Sequence, residues 1–137
     1  MLETQAATDV VEINFPAGLP GFPTAHRFEL APWGPAGSPF LLLSSADDPN
    51  VGFVLVPPWV FYPEYEFELD NGMAERLGLS EASDAVVFAV VTLRDRPEDS
   101  TMNLLGPIVV NRFTHEAAQV VLPSAGYSVR APLAVAS

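Results

Sequence analysis

Apolar and polar residues alternate in short stretches along this chain, and prolines and glycines separate the stretches. Near the start, Val11, Ile13 and Phe15 alternate with polar residues. Because successive side chains of a strand point to opposite faces, this alternation predicts a half-buried strand. Stretches of similar character predict further strands at 27–30, 40–44, 53–56, 65–69, 104–105, 108–111, 119–122 and 128–130.

The longest apolar stretch runs from Ala85 to Val91 within a predicted strand, 85–93, that is rich in valine. A short, almost uninterrupted apolar run of this kind predicts a central strand that is buried on both faces. Many short strands with turn residues between them are typical of an antiparallel barrel or sandwich. We therefore predict an all-β fold, a small single-domain antiparallel barrel-like domain over 10–133, with a flexible tail at 1–9 and a C-terminal tail at 134–137.

One short helix is predicted at Gly72–Leu77, where apolar residues recur at helical spacing. Asp70 or Asn71 is suited to cap its start, and Gly78 is suited to end it. Elsewhere, a type II turn is predicted at 19–22, since proline sets φ and glycine supplies positive φ. The Gly106-Pro107 step is expected to interrupt a ladder, because proline has no N–H.

The charge of the chain is one-sided. Its 137 residues include six basic residues, all arginine, and seventeen acidic ones, which gives a net charge of −11. Such a charge repels nucleic acid phosphates and anionic membranes and attracts basic partners, although ordinary acidic solubility is the alternative interpretation. The chain contains no cysteine, which excludes disulfides and thiolate metal sites. No export signal or apolar stretch of about 20 residues is visible, so a cytoplasmic protein is expected.

Four acidic residues alternate with apolar residues between positions 64 and 70. In a strand, this spacing would place all four carboxylates on one face. That face is either the solvated side of a half-buried strand or a surface for a basic partner. A calcium site needs six to eight converging oxygens, which a straight stripe does not supply. The four acids are Glu64, Glu66, Glu68 and Asp70.

The stretch 57–63 is rich in aromatic residues and proline, which places it at an edge or in a loop. Trp59 and Tyr62 either plug the end of the barrel or serve as contact anchors, whereas Phe61 is expected to pack inside. Asn103 and Asn111 bracket another apolar stretch. Their amides either bind turn backbone or belong to a recognition surface.

The sequence contains no nucleophile–base set, cofactor fingerprint or zinc signature, so neither an enzyme nor a bound cofactor or metal is predicted. His26 and His115 are expected to have surface or capping roles. A ligand- or carbohydrate-binding β module, with Trp59 and Tyr62 as its platform, is an alternative. A hydrolase using two of the clustered acids is disfavoured, because an exposed stripe does not hold carboxylates in different protonation states.

Four segments in register carry a resemblance to a known family. The stretch 101–111 has the form Thr-x-Asn-Leu-x-(small)-Pro-Ile-x-x-Asn, and 15–22 has the form Phe-x-x-Gly-(Ile/Leu)-Pro-Gly-Phe. The other two segments combine 51–54 with 63–65, and 119–122 with Tyr127. Together they resemble FliW, the flagellar assembly factor family, over nearly the whole chain.

The resemblance implies a cytoplasmic, non-enzymatic flagellar assembly factor. Similar proteins bind flagellin and also bind and antagonise CsrA, a small mRNA-binding translational regulator, and the two partners exclude each other. No direct binding to nucleic acid or membrane is expected, and the protein alone is expected to be monomeric. The candidate partner-binding residues are Trp59, Tyr62, Glu64, Glu66, Glu68, Asp70 and Asn103.

Overall fold

The structure is a computed structural model that describes residues 10–19, 21–22, 24–48, 50–96, 99–122 and 127–133. The predicted tails at 1–9 and 134–137 lie outside these residues. One short helix, α1, spans Asn71–Arg76, and single helical turns occur at Pro58–Val60 and Ala82–Asp84. The strands are β1 Val11–Asn14, β2 Arg27–Pro32, β3 Leu41–Ser45, β4 Gly52–Val56, β5 Ala85–Thr92, β6 Thr101–Asn111, β7 Ala117–Gln119 and β8 Ala131–Pro132.

The strands form one antiparallel sheet in which β1 to β7 follow each other in chain order. β8 also pairs with β6, beside the first residues of that strand. The first and last strands of the path meet where the backbone N–H of Asn14 donates to the carbonyl of His115 at 3.0 Å, next to a parallel bridge between Asn14 and Glu116. The sheet is therefore nearly closed, and the predicted all-β, barrel-like fold with one short helix is confirmed.

The barrel interior is filled by side chains from each of β1 to β7 and from the loop after β1. Phe15 and Phe28 are fully buried at its centre, with ring centroids 5.2 Å apart in an edge-to-face arrangement. Burying such a side chain contributes about 1.5–3 kcal/mol, so this cluster supplies much of the folding free energy. The buried members are Ile13, Phe15, Leu19, Phe28, Leu30, Leu43, Leu55, Phe88, Ile108, Val110 and Ala117.

Two further apolar clusters lie on the opposite face of the sheet. β5 contributes to all three clusters: Phe88 packs in the barrel, whereas Val91 and Val87 pack in the two outer clusters. The predicted strand therefore packs on both faces, although only three of its residues are buried and the others are half-buried or exposed. The buried members of the first outer cluster are Val56, Tyr65, Ala89, Val91, Met102, Leu104, Ala131 and Leu133, and those of the second are Leu77, Val109, Val120 and Leu122.

A β-bulge of four residues divides β6 into two parts. Phe88 pairs with Ile108 but Val90 pairs with Asn103, so the four residues 104–107 of β6 stand opposite Ala89 alone. The side-chain oxygen of Asn103 accepts the backbone N–H groups of residues 105 and 106, each at 2.9 Å. The amide of Asn103 therefore satisfies the donors that the bulge removes from the ladder.

The carbonyl groups of the bulge are bound from the other side by the chain around β7. The side-chain amide of Gln119 donates to the carbonyl of Gly106 at 2.8 Å. The N–H groups of Val120 and Leu122 donate to the carbonyls of residues 107 and 105, each at 2.9 Å. The Gly106-Pro107 step thus shifts the ladder rather than ending the strand, because Pro107 lies where no N–H donor is needed.

Two predicted strands, at 65–69 and 128–130, are wrong. Residues 64–70 pair with no strand in the described part of the chain. The Tyr127 hydroxyl instead accepts the N–H of Glu66 at 3.1 Å and donates to its carbonyl at 3.0 Å, as a neighbouring strand would. The last strand instead begins at Ala131, which pairs with Met102 of β6.

The local signals at turns and caps are confirmed. The carboxylate of Asp70 accepts the N–H of Gly72 at 3.2 Å at the start of α1, and Gly78 follows its end with φ of +70°. Gly21 has the positive φ predicted for it, +85°, and the N–H of Phe22 donates to the carbonyl of Leu19 at 2.7 Å, as in a type II turn. Pro20 of that turn lies outside the described residues.

Replacing Asn103 with Ala is expected to lower the free energy of unfolding by about 1–3 kcal/mol, since two backbone N–H groups in the bulge lose their acceptor. Asn103→Asp is the matched control, because it keeps an oxygen acceptor at the same position. Urea unfolding of both variants at pH 7 tests this expectation. Equal stabilities for Asn103→Ala and the wild type would show that the bulge does not depend on this amide.

Candidate functional site

An open groove of about 770 Å³ lies over the outer face of β5 and β6. One wall is the extended segment 65–69, and the other is formed by α1 and the turn at 80–82. Ala85, Val87 and Val109 of the sheet form its floor. We call this feature the outer groove. Its walls come from one stretch of the chain, 65–82, and its apolar floor comes from β5 and β6.

Two aromatic residues build one end of the outer groove. Trp59 is 40% exposed, and its indole N–H donates to the carbonyl of Tyr65 at 2.6 Å, with the ring centroids 5.8 Å apart. Tyr65 is buried, and its hydroxyl donates to the carbonyl of Leu104 at 2.8 Å. Burial raises the pKa of Tyr65 above its ordinary value, and the nearby Tyr127 raises it further. These bonds fix both rings, and part of the Trp59 side chain stays exposed at the groove.

Tyr62 has a different environment from Trp59. It is half-buried, its hydroxyl donates to the carbonyl of Pro132, and its ring packs against the first outer cluster. Phe61 packs beside Phe40, with ring centroids 6.2 Å apart, as expected for an inward-facing residue. Tyr62 is therefore less exposed than the platform residue that the carbohydrate-binding alternative predicts. A contact role for Tyr62 stays a prediction.

The four acids of the predicted stripe are all exposed, while the residues between them are buried or half-buried. Glu66 and Glu68 line the outer groove, whereas Glu64 lies just before it. Asp70 uses its carboxylate to cap α1. The exposed and less exposed residues thus alternate although this segment pairs with no described strand. The four acids have different positions: two line the groove, one precedes it, and one caps α1.

Glu81 faces the same groove from the opposite wall. Sequence reasoning missed this residue, because the type of an acidic residue in a turn does not indicate which part of the chain it lies beside. The turn is held in place by the Asp84 carboxylate, which accepts the N–H groups of Ser80 and Glu81, each at 3.0 Å. The ionisable residues that line the described groove are Glu66, Glu68 and Glu81, apart from the buried phenol of Tyr65.

The two asparagines bind backbone. Asn111 is 3% exposed, its amide nitrogen donates to the carbonyl of Leu77 at 2.7 Å, and its oxygen accepts the N–H groups of residues 113 and 114. Asn103 holds the bulge and does not line the outer groove. For both amides the backbone-binding interpretation is confirmed. A partner contact by Asn103 stays a prediction.

The histidines lie in connections between strands. A ring nitrogen of His26 lies 2.9 Å from the carbonyl of Phe15, and His115 occupies the β6–β7 turn with φ of +65°. In the described ranges, no three histidine or acidic side chains converge as a metal site would require. None of the helices described there is long and apolar enough to cross a membrane.

Comparison with known proteins agrees with this architecture. The sequence model of one family, described as "FliW protein", matches residues 2–133. The chain belongs to the FliW family. It is 39% identical to the flagellar assembly factor FliW of Bacillus subtilis strain 168 over 121 residues, which cover 88% of this chain and 84% of the relative. It is 43% identical to that of Desulfitobacterium hafniense strain DCB-2 over 118 residues, 86% and 77% of the two chains.

A solved structure supports the same conclusion. The crystal structure of the flagellar assembly factor FliW superposes on this chain with a TM-score of 0.84 and 32% sequence identity. The match covers 91% of this chain and 86% of that one. The FliW family is therefore one of flagellar assembly factors, which is a role in building the flagellum rather than a type of enzymatic reaction.

The residues that carry the FliW resemblance are mainly structural in this member of the family. Gly106 lies in the bulge, where an added Cβ would come within 3.0 Å of the side-chain amides of Asn103 and Gln119. Phe15 fills the barrel, and Tyr127 holds Glu66. The family pattern thus describes how the sheet bends and how segment 65–69 is anchored, which together shape the outer groove.

Replacing Tyr65 with Phe is expected to cost about 1–3 kcal/mol at pH 7, because the buried carbonyl of Leu104 loses its donor. The folded state holds the pKa of Tyr65 above its unfolded value, so this stabilisation is complete below roughly pH 10 and is lost as the pH rises through the folded pKa. The wild type should therefore lose more stability than Tyr65→Phe above that pH. Urea unfolding across an alkaline pH series measures this, and parallel curves would contradict it.

Proposed function

We propose that this protein is a cytoplasmic flagellar assembly factor that binds flagellin and, when free of flagellin, binds and antagonises CsrA. The observation that carries this proposal is the agreement with the FliW family over residues 2–133, in sequence and in fold. The two partners exclude each other. Export of flagellin then frees the protein to capture CsrA, which lifts repression of flagellin synthesis.

The charge distribution supports capture of a basic partner. CsrA must hold RNA phosphates with basic groups. This protein carries a net charge of −11, and exposed carboxylates of Glu66 and Glu68 stand beside the exposed ring of Trp59. Aromatic anchors surrounded by complementary charge are common at protein interfaces. We therefore place partner contacts first at these three residues, and then at Glu64, Asp70, Tyr62 and Asn103.

Isothermal titration calorimetry with flagellin and CsrA from the same organism tests the proposal. Each purified partner should bind the protein alone. Saturation with flagellin should abolish the heat of CsrA binding, since the complexes exclude each other. The absence of binding to both partners at concentrations of about tens of micromolar, or a stable ternary complex on size-exclusion chromatography, would overturn the proposed function.

The double variant Glu66→Gln, Glu68→Gln is expected to slow association with CsrA several-fold at low salt, because charge steering acts on the on-rate. The difference should shrink as salt shortens the Debye length, which is about 8 Å at physiological ionic strength. The melting temperature should stay the same or rise, since like charges are removed.

The matched control is Glu12→Gln, Glu29→Gln. These exposed acids lie opposite each other on β1 and β2, away from the outer groove, and removing them changes the net charge equally. Stopped-flow association rates at several salt concentrations compare the two variants. Equal slowing in both would assign the effect to net charge alone, and early unfolding of the first with an unchanged rate would make its acids structural.

A further inference from the structure

The proposed function so far uses only one wall of the outer groove, segment 65–69. The apolar floor and the wall formed by α1 and the turn at 80–82 have no role in it. Leu79 and Ala82 line the groove together with Phe67, Val87 and Val109. The volume of about 770 Å³ falls within the range of sites that enclose a whole ligand or several side chains, roughly 300–1,000 Å³. A recess of this size is able to accept apolar side chains and not only surface charge.

The acids that line the outer groove form no ion pair with any described residue. The ion pairs among described residues join Arg27 to Asp47 and Arg96 to Asp99, and both lie outside the groove. Glu66 and Glu68 on one rim and Glu81 on the other therefore face the recess without a cation in the described chain. A second copy of this chain would bring the same negative charge, so self-association through this groove is disfavoured.

We propose that the outer groove is the docking site for a segment of the basic partner. One or two apolar side chains of that segment enter between α1 and segment 65–69, and its Lys or Arg side chains meet Glu66 and Glu68 on one rim and Glu81 on the other. This assignment rests on the proposed function, in which CsrA is the basic partner. It names the surface and the chemistry that this partner uses.

Both walls of the groove are formed before a partner arrives. On one side, Tyr127 holds the backbone of Glu66 through two hydrogen bonds, and Trp59 is bonded to Tyr65. On the other, the Asp84 carboxylate holds the turn that carries Glu81. A preformed recess reduces the ordering cost of binding, so that contacts contribute more fully to affinity.

Filling the recess tests the apolar part of the proposal. Ala82 is exposed at the groove, so Ala82→Trp places a large ring there without overfilling the core. Ala36→Trp, in the exposed β2–β3 connection, is the matched control. By calorimetry, Ala82→Trp should weaken CsrA binding about tenfold or more, while Ala36→Trp should stay within about a factor of two of the wild type.

Charge reversal tests the rim independently. Glu81→Lys should weaken CsrA binding, and the loss should diminish with salt. Glu12→Lys is its control, since it changes the net charge equally at an exposed position on β1. Thermal melting of all four variants verifies their folding. Glu81 is exposed and takes part in the capping box of the helical turn at 82–84, not in the core. Glu81→Lys is therefore expected to lower the melting temperature less than a core substitution would, and it remains informative if Ala82→Trp melts early.

The outcomes separate the two proposals. Weakened CsrA binding in the folded groove variants, with both controls unaffected, supports the docking site. An equal loss of flagellin binding also supports it, and gives mutual exclusion a steric cause. Unchanged CsrA affinity in the folded groove variants overturns the docking site alone. A wild-type protein that binds neither CsrA nor flagellin overturns the proposed function and the docking site with it.

Discussion

The bulge in β6 is the constraint on which the rest of the structure depends. β6 pairs with β5, β7 and β8, and it contributes to all three apolar clusters. Inserting residues 104–107 opposite Ala89 changes the direction of the strand. Met102 consequently packs in one outer cluster, whereas Ile108 packs inside the barrel. The side chains stabilise this bend, because Asn103 accepts two backbone N–H groups of the bulge and Gln119 donates to the carbonyl of Gly106.

The outer groove follows from this bend. Val109 of β6 and Val87 of β5 face outward, so the sheet presents apolar surface on the side away from the barrel. α1 and segment 65–69 cover this surface only in part, and the Tyr127 hydroxyl anchors the segment through the backbone of Glu66. What remains uncovered is a recess with acidic rims, which joins the fold directly to the proposed recognition of a basic partner.

The stability of this protein comes from its apolar clusters and its satisfied backbone, not from its charges. The described ion pairs are exposed, and pairs of this kind contribute about 0–1 kcal/mol. Glu12 and Glu29 even face each other across β1 and β2, which is unfavourable for like charges. Like charges of this kind lower the free energy of unfolding, so they do not serve stability. They are better explained by binding to a basic partner, because carboxylates that form no ion pair within the protein attract such a partner more strongly.

By itself, the sequence determined the features that depend on neighbours along the chain. The period-two alternation in β1, the valine-rich β5, the capped helix α1 and the Gly21 turn were all predictable, because backbone preference and local side-chain bonds decide them. The pairing of residues 64–70 was not, although its alternation is identical to that of a strand. Whether an extended segment joins a ladder depends on what lies beside it, and here that neighbour is the hydroxyl of Tyr127. For the same reason, only the tertiary structure showed that Glu81 lines the same groove as Glu66.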